Sequence, residues 1–179
     1  MLFSTAQLFP AAVAYYYDEL GLIKVFFNTL LATFLCGFLL YIANSSKKED
    51  LRTKDGFIIT VLFWTVLAIF GSFPLIFADE VEISYVDSLF ESISGLTTTG
   101  ATVLTGLDEL PRSILFYRQL LQWLGGMGII VLAVAVLPLL GIGGMQLYKA
   151  ETPGPLKEAK LTPRIKETAK ALWLSLIHI

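Results

Sequence analysis

The amino-acid sequence predicts an all-α membrane protein, and its composition and the arrangement of its apolar residues lead to that fold class. Hydrophobic residues make up 55% of the 179 residues and charged residues only 16%, and the mean hydropathy is +0.71. Soluble domains usually contain about a quarter charged residues. The apolar residues lie in long blocks separated by short polar segments. This arrangement excludes an intrinsically disordered chain and disfavours an ordinary soluble enzyme.

Four apolar segments form the predicted membrane-spanning helices. They are residues 2–17, 22–43, 57–78 and 113–140. A helix needs about 20 residues to cross the hydrocarbon core, and the first segment is slightly shorter than that. We therefore expect a spanning helix whose beginning precedes Met1. The second segment is long enough, and its Lys24 can extend towards the lipid headgroups.

The distribution of Lys and Arg among the loops predicts the orientation of the four spans. Loop 44–56 carries four basic residues and segment 146–172 carries six, whereas loop 79–112 carries only Arg112 beside seven acids. Basic residues accumulate in cytoplasmic loops. We therefore expect four crossings, with 44–56 and 146–172 in the cytoplasm and 79–112 outside.

The loop between the third and fourth spans has the pattern of a re-entrant pore loop. Residues 85–96 predict an amphipathic helix about 18 Å long, which is too short to cross a membrane. The run 97–102 then reads Thr-Thr-Thr-Gly-Ala-Thr and leads back to an acidic stretch on the same side. A helical hairpin whose Ser/Thr/Gly loop merely joins two spans fits these residues equally well.

The chemistry of this loop suits a cation filter. Non-helical backbone at membrane depth is tolerated where it lines a water-filled cavity, and its carbonyl oxygens can replace the hydration shell of an ion. Gly100 can adopt the backbone angles that turn several carbonyls to one side. The threonines tolerate extended backbone, and their hydroxyls can form local hydrogen bonds. The negative end of the short helix and the surrounding acids would attract cations.

The sequence offers no residue set for covalent chemistry. Cys36 is the single cysteine and His178 the single histidine, so we expect no disulfide framework, metal-ligand pair or histidine-based active site. The polar side chains at membrane depth are Glu91, Thr97, Thr98, Thr99, Arg118 and Gln122. We predict a protein that is not an enzyme and has no cofactor. We also expect no nucleic-acid partner, because no basic stripe with interleaved aromatic residues is present.

One long stretch of the chain resembles a known family. This stretch, residues 87–155, reads DSLFESISGLTTTGATVLTGLDELPRSILFYRQLLQWLGGMGIIVLAVAVLPLLGIGGMQLYKAETPGP. It is similar to the Trk/Ktr/HKT superfamily of potassium uptake proteins, in particular to its TrkH-type bacterial subunits, and the resemblance extends over residues 1–173. It implies four helix–pore loop–helix repeats around one pore, preceded by two extra helices.

The resemblance also implies a role for the loop. The backbone carbonyls of Thr97, Thr98, Thr99, Gly100 and Ala101 would form the first-repeat part of a selectivity filter, with the potassium ion at Thr98 and Thr99. The implied function is potassium uptake across the bacterial inner membrane by a multi-pass protein. The implied partners are potassium, the lipid bilayer, a second copy in a homodimer and a cytoplasmic nucleotide-binding regulatory subunit. A non-conducting membrane scaffold or assembly subunit remains the alternative.

The resemblance divides the chain into four parts. They are two N-terminal helices with a cytoplasmic loop (1–56), the first helix–pore loop–helix repeat (57–145), a cytoplasmic linker (146–173) and a tail (174–179). Since three repeats are absent, we expect a truncated part of a longer transporter; assembly of four copies is the alternative. The tail, Leu-Ser-Leu-Ile-His-Ile, resembles a translated transposon sequencing adapter. We expect it to be non-native.

Two charges at membrane depth lead to a specific prediction. Arg118 lies about 8 Å into the fourth span, where an unpaired charge is costly. Glu91 on the short helix is the candidate partner, and their ion pair would brace the loop against the fourth span. Snorkelling of Arg118 to external water is the alternative. Gly125, Gly126 and Gly128 favour close helix packing over a bend.

Overall fold

The computed structural model describes residues 2–44 and 53–131, and within these ranges all regular secondary structure is helical. The α-helices are α1 (Leu2–Ala6), α2 (Leu8–Tyr16), α3 (Leu20–Asn44), α4 (Thr53–Ile76), α5 (Tyr85–Leu96) and α6 (Arg112–Val131), with a short 3-10 helix, Leu107–Glu109, before α6. The all-α prediction is confirmed for this part of the chain. The predicted linker 146–173, the tail 174–179 and the end of the fourth span lie outside the described residues.

The first predicted helix is divided in two at Gln7. Pro10 has no N–H to bond the Ala6 carbonyl four residues earlier, and its ring crowds that carbonyl. The chain therefore ends α1 at Ala6 and starts α2 again with Pro10 in its first turn. Gln7 lies buried in the turn, where its Oε1 accepts a hydrogen bond of 2.8 Å from Thr29 Oγ1. The single helix predicted over 2–17 is thus wrong in this detail.

The second and third predicted spans correspond to α3 and α4. Among the described residues, one helical stretch, Leu20–Ala43, is long and apolar enough to cross a membrane by length and composition. Helix α4 has 24 residues, but its apolar part, Thr60–Ile76, is shorter. Helix α4 starts at Thr53, four residues before the predicted start at residue 57. The prediction followed the apolar run, whereas the helix also includes the polar residues that precede it. The four-crossing arrangement stays a prediction.

The core joins α6 to the earlier helices around Tyr117. This side chain is buried, its hydroxyl donates to the Gly71 carbonyl of α4 at 2.7 Å, and its ring centroid lies 5.6 Å from that of Phe26 in α3. Helix α5 packs between α4 and α6. Its Ser92 Oγ donates to the Ala68 carbonyl of α4 at 2.8 Å. Both flanks of α5 are therefore held by long helices.

Candidate functional site

The short helix α5 begins with a side-chain cap, which explains why its start agrees with the prediction. Ser84 has extended backbone, and its Oγ accepts a hydrogen bond of 3.1 Å from the N–H of Asp87. The same Oγ donates to Asp87 Oδ2 at 2.8 Å. A serine N-cap satisfies one of the free N–H groups of the first turn, and an acid there interacts favourably with the helix dipole.

The carboxyl end of α5 runs directly into the predicted loop through a Schellman motif. The N–H of Thr99 donates to the Ser94 carbonyl at 3.0 Å, and the N–H of Thr98 donates to the Gly95 carbonyl at 2.9 Å. This pair of hydrogen bonds places Thr98 at the first position beyond the cap, which is usually glycine in left-handed conformation. The last turn of the helix and the first residues of the loop are therefore one hydrogen-bonded unit.

Two residues of the loop have positive φ angles, Thr98 at 57° and Gly100 at 73°. Glycine adopts this region freely, whereas for a β-branched residue it is an outlier that costs free energy and needs support from its surroundings. The extended backbone that the sequence favoured for the threonines is therefore not adopted at Thr98, because the Schellman motif requires left-handed backbone there. Such strain is typical of functional loops.

The threonine hydroxyls form local hydrogen bonds. Thr97 Oγ1 donates to the Ile93 carbonyl at 2.8 Å and lies 2.8 Å from Thr99 Oγ1, while Thr98 Oγ1 donates to the Thr97 carbonyl at 2.7 Å. By contrast, the carbonyls of Thr98, Thr99 and Gly100 accept no hydrogen bond from the described part of the chain. These oxygens are the ones left available to a ligand.

Ala101 differs from the residues before it, because its carbonyl is occupied. Ser94 Oγ donates to the Ala101 carbonyl oxygen at 2.6 Å, and Ser94 is buried in the last turn of α5. Sequence reasoning did not single out Ser94, since its contact depends on how the loop folds back onto the helix.

The buried carboxylate of Glu91 holds three segments together. Its Oε2 accepts a hydrogen bond of 3.0 Å from Arg118 Nε on α6, so the ion pair that the sequence predicted is present. Its Oε1 accepts from Thr102 Oγ1 at 2.6 Å and from the N–H of Val103 at 2.7 Å. Glu91 is only 4% exposed. The contacts to Thr102 and Val103 were missed, although a buried carboxylate needs partners for both oxygens.

The other acids of this region lie at the surface. Asp79, Glu80, Glu82, Asp108 and Glu109 are exposed, and Asp87 is half-buried. Of the seven acids of loop 79–112, Glu91 is therefore the buried one, and the other six are exposed or half-buried. Within the described ranges, no group of three or more His, Cys, Asp or Glu side chains is arranged to hold a metal ion. The available ligands of the loop are backbone carbonyls and hydroxyls.

Glycines let α6 approach the end of α5 very closely. A Cβ at Gly125 would overlap the backbone carbonyl of Leu96, and a Cβ at Gly95 would lie 3.0 Å from Leu121 Cβ. A Cβ at Gly128 would lie 3.1 Å from the Trp64 ring. The sequence predicted that Gly125, Gly126 and Gly128 serve close packing. This prediction is confirmed at Gly125 and Gly128.

A carboxylate from the N-terminal helices caps α6. Glu19, in the turn between α2 and α3, accepts hydrogen bonds from the N–H groups of Arg112 at 2.7 Å and Ser113 at 3.2 Å, and also from Ser113 Oγ. A negative charge at a helix N-terminus is favourable. The sequence signal for this contact is indirect: Pro111 precedes α6 and has no side-chain acceptor, so the cap has to come from elsewhere.

The chain as a whole is similar to proteins that are already known. The family described as TrkH, cation transport protein, matches residues 22–179. The Trk system potassium uptake protein TrkH of Vibrio parahaemolyticus is 60% identical over 172 residues, which are 96% of this chain and 35% of the relative. The protein of the same name from Escherichia coli is 55% identical over 97% of this chain and 36% of its own length.

A solved structure agrees with these sequence comparisons. The crystal structure of the potassium transporter TrkH from Vibrio parahaemolyticus superposes with a TM-score of 0.78 at 52% identity, covering 98% of this chain and 34% of that one. The fold and its relatives define the class: an all-α member of a family of cation transport proteins. More specifically, the chain belongs to the TrkH family. It spans about a third of the length of the curated relatives it matches.

Proposed function

We propose that this chain is the first part of a potassium transporter of the bacterial inner membrane and that residues 97–101 form one of four segments of its selectivity filter. The observation that carries the proposal is the row of carbonyls at Thr98, Thr99 and Gly100, at the end of a short helix, which accept no hydrogen bond from residues 2–44 and 53–131. Carbonyl oxygens in such a row can replace the hydration shell of a potassium ion. Potassium as substrate is supported by the names of the relatives.

The contacts of Glu91 support a filter that keeps its shape. An ion filter has to hold its oxygens at fixed distances while the ion exchanges its hydration shell for them. Glu91 joins α5, the returning loop segment at Thr102 and Val103, and Arg118 of α6. Because the carboxylate is buried, each of these contacts is stronger than it would be in water. We infer that Glu91 and Arg118 brace the filter segment.

The remaining parts of the proposal rest on the resemblance and on charge patterning. The chain would cross the inner membrane four times, with loop 79–112 outside. The two thirds of the relatives that this chain does not span would supply the other three filter segments. A homodimer and a cytoplasmic nucleotide-binding subunit would complete the transport system. Permeation through such a filter needs no covalent step and no cofactor.

A chimera tests the proposed function. Residues 1–173 replace the matching segment of the Vibrio parahaemolyticus relative, which supplies the rest of the pore. In a bacterial strain without its own potassium uptake, the chimera should restore growth on limiting potassium as the unmodified relative does. The 179-residue chain expressed alone and an empty vector are the controls, and membrane levels are compared by immunoblot. A chimera present in the membrane at normal levels that does not restore growth would contradict the proposal and favour a non-conducting scaffold.

A further inference from the structure

Ser94 contacts the filter segment with both its backbone and its side chain. Its carbonyl oxygen accepts the N–H of Thr99 at 3.0 Å and the N–H of Gly100 at 3.4 Å. Its Oγ donates to the Ala101 carbonyl at 2.6 Å. Ser94 is 5% exposed, so these contacts are shielded from water. A single residue of α5 therefore engages three successive residues of the loop.

The hydrogen bonds to the Ser94 carbonyl also determine the directions of the Thr98 and Thr99 carbonyls, because each peptide unit is planar. In a trans peptide the N–H and the C=O point in opposite directions, and no cis peptide is present in the described residues. The N–H groups of Thr99 and Gly100 both point to the Ser94 carbonyl. The carbonyls in the same two peptide units, those of Thr98 and Thr99, therefore point away from Ser94 towards a common side.

The Ala101 carbonyl has the opposite direction. Because it accepts a hydrogen bond from Ser94 Oγ, it points back to α5 and not to the side that the Thr98 and Thr99 carbonyls share. Within the predicted filter range of 97–101, the Ala101 carbonyl is therefore held away from the ion path by Ser94, and the Thr97 carbonyl is occupied separately by Thr98 Oγ1.

We propose that Ser94 is a positioning residue for ion selection: its hydroxyl keeps the Ala101 carbonyl out of the ion path and limits the oxygens offered to the ion to those of Thr98, Thr99 and Gly100. This inference rests on the proposed function of residues 97–101 as a filter segment. The number and spacing of coordinating carbonyls help to set the preference for potassium over sodium. If the Ala101 carbonyl lost its hydrogen bond to Ser94, both the number and the spacing of the coordinating carbonyls would change.

The test compares Ser94→Ala with Ser92→Ala in the chimera. Both changes remove a buried hydroxyl of α5 that donates to a backbone carbonyl. The acceptor of Ser92 is Ala68 of α4, whereas the acceptor of Ser94 is Ala101 of the loop. Rubidium and sodium uptake are measured separately in cells with equal membrane levels of each variant. With one hydrogen bond lost, we expect Ser94→Ala to lower the rubidium-to-sodium uptake ratio about fivefold, and Ser92→Ala to leave it unchanged.

Two further variants complete the test. If Ser94→Ala does not reach the membrane, Ser94→Cys takes its place, because a thiol is close in size and only a weak donor; it should lower the ratio in the same direction. An unchanged ratio in the Ser94 variant, or an equal fall in Ser92→Ala, would overturn the proposal. Gly100→Ser separates this failure from failure of the proposed function: if that variant transports rubidium normally, residues 97–101 are not a filter.

Discussion

Arg118 Nε lies 3.0 Å from Glu91 Oε2, and this ion pair connects the short helix α5 to the long helix α6. The second oxygen of the same carboxylate binds Thr102 and Val103, the residues that follow the filter segment. One buried side chain therefore connects the helix that precedes the filter segment, the loop residues that follow this segment, and helix α6.

Glu91→Gln should destabilise the protein by about 3 kcal/mol, because it leaves the Arg118 guanidinium without its counter-charge in a largely buried position. Glu82→Gln is the matched control, since Glu82 is an exposed acid of the same loop. Thermal unfolding of the purified chimera in detergent measures the difference. Equal melting temperatures for the two variants would show that the ion pair does not brace this region.

Glu19→Gln should weaken the capping of α6 and lower the free energy of unfolding by about 1 kcal/mol, because the charge that faces the helix N-terminus is removed. Asp18→Asn is the control: it removes a neighbouring exposed charge, and asparagine tolerates the positive φ of 57° at this position. The comparison uses the same thermal unfolding measurement. If Asp18→Asn costs as much as Glu19→Gln, the loss reflects net charge and not capping.

Gly125→Ala should be far more damaging than Gly128→Ala. The added methyl at Gly125 would overlap the Leu96 backbone carbonyl, which cannot move without shifting the end of α5. At Gly128 the nearest atoms belong to the Trp64 side chain, which can rotate away. Overpacking against backbone should cost roughly 1–3 kcal/mol or more. Membrane levels and potassium-limited growth of the two chimeras check this; equal behaviour would contradict the close approach of α6 to α5.

The predicted orientation can be measured by cysteine labelling. After Cys36→Ala, a cysteine introduced in place of Asp108 should react with a membrane-impermeant maleimide in intact cells. A cysteine in place of Lys48, in the basic loop 44–56, should react only after the membrane is opened. Labelling of the Lys48 position in intact cells would refute the arrangement with loop 79–112 outside.

Local signals in the sequence predicted the short helix and its ion pair well. The amphipathic pattern gave the bounds 85–96, and the Ser84 cap explains why they agree with the structure. The pairing of Glu91 with Arg118 was predictable because an unpaired charge at membrane depth costs free energy, and these two residues carry opposite charges. The break at Gln7 also has a local cause, which is Pro10. The prediction of a single helix over 2–17 did not include this effect of the proline.

Contacts that depend on the folded backbone were beyond reach of the sequence. Glu19 and Arg112 are 93 residues apart, and no periodicity connects them. The bond from Ser94 to Ala101 exists only because Thr98 turns into left-handed backbone and brings the loop back onto α5. A β-branched residue is unfavourable in that conformation, so residue preferences pointed to extended backbone instead.

Rubidium uptake in Gly100→Ser and Gly106→Ser chimeras shows whether residues 97–101 form part of an ion filter. Both glycines have positive φ, 73° and 65°, so serine imposes a similar backbone cost of about 1–2 kcal/mol at each. Only Gly100 lies in the proposed filter. At equal membrane levels, Gly100→Ser should abolish uptake while Gly106→Ser retains it. Normal uptake by Gly100→Ser, or equal loss in both variants, would show that residues 97–101 do not form an ion filter.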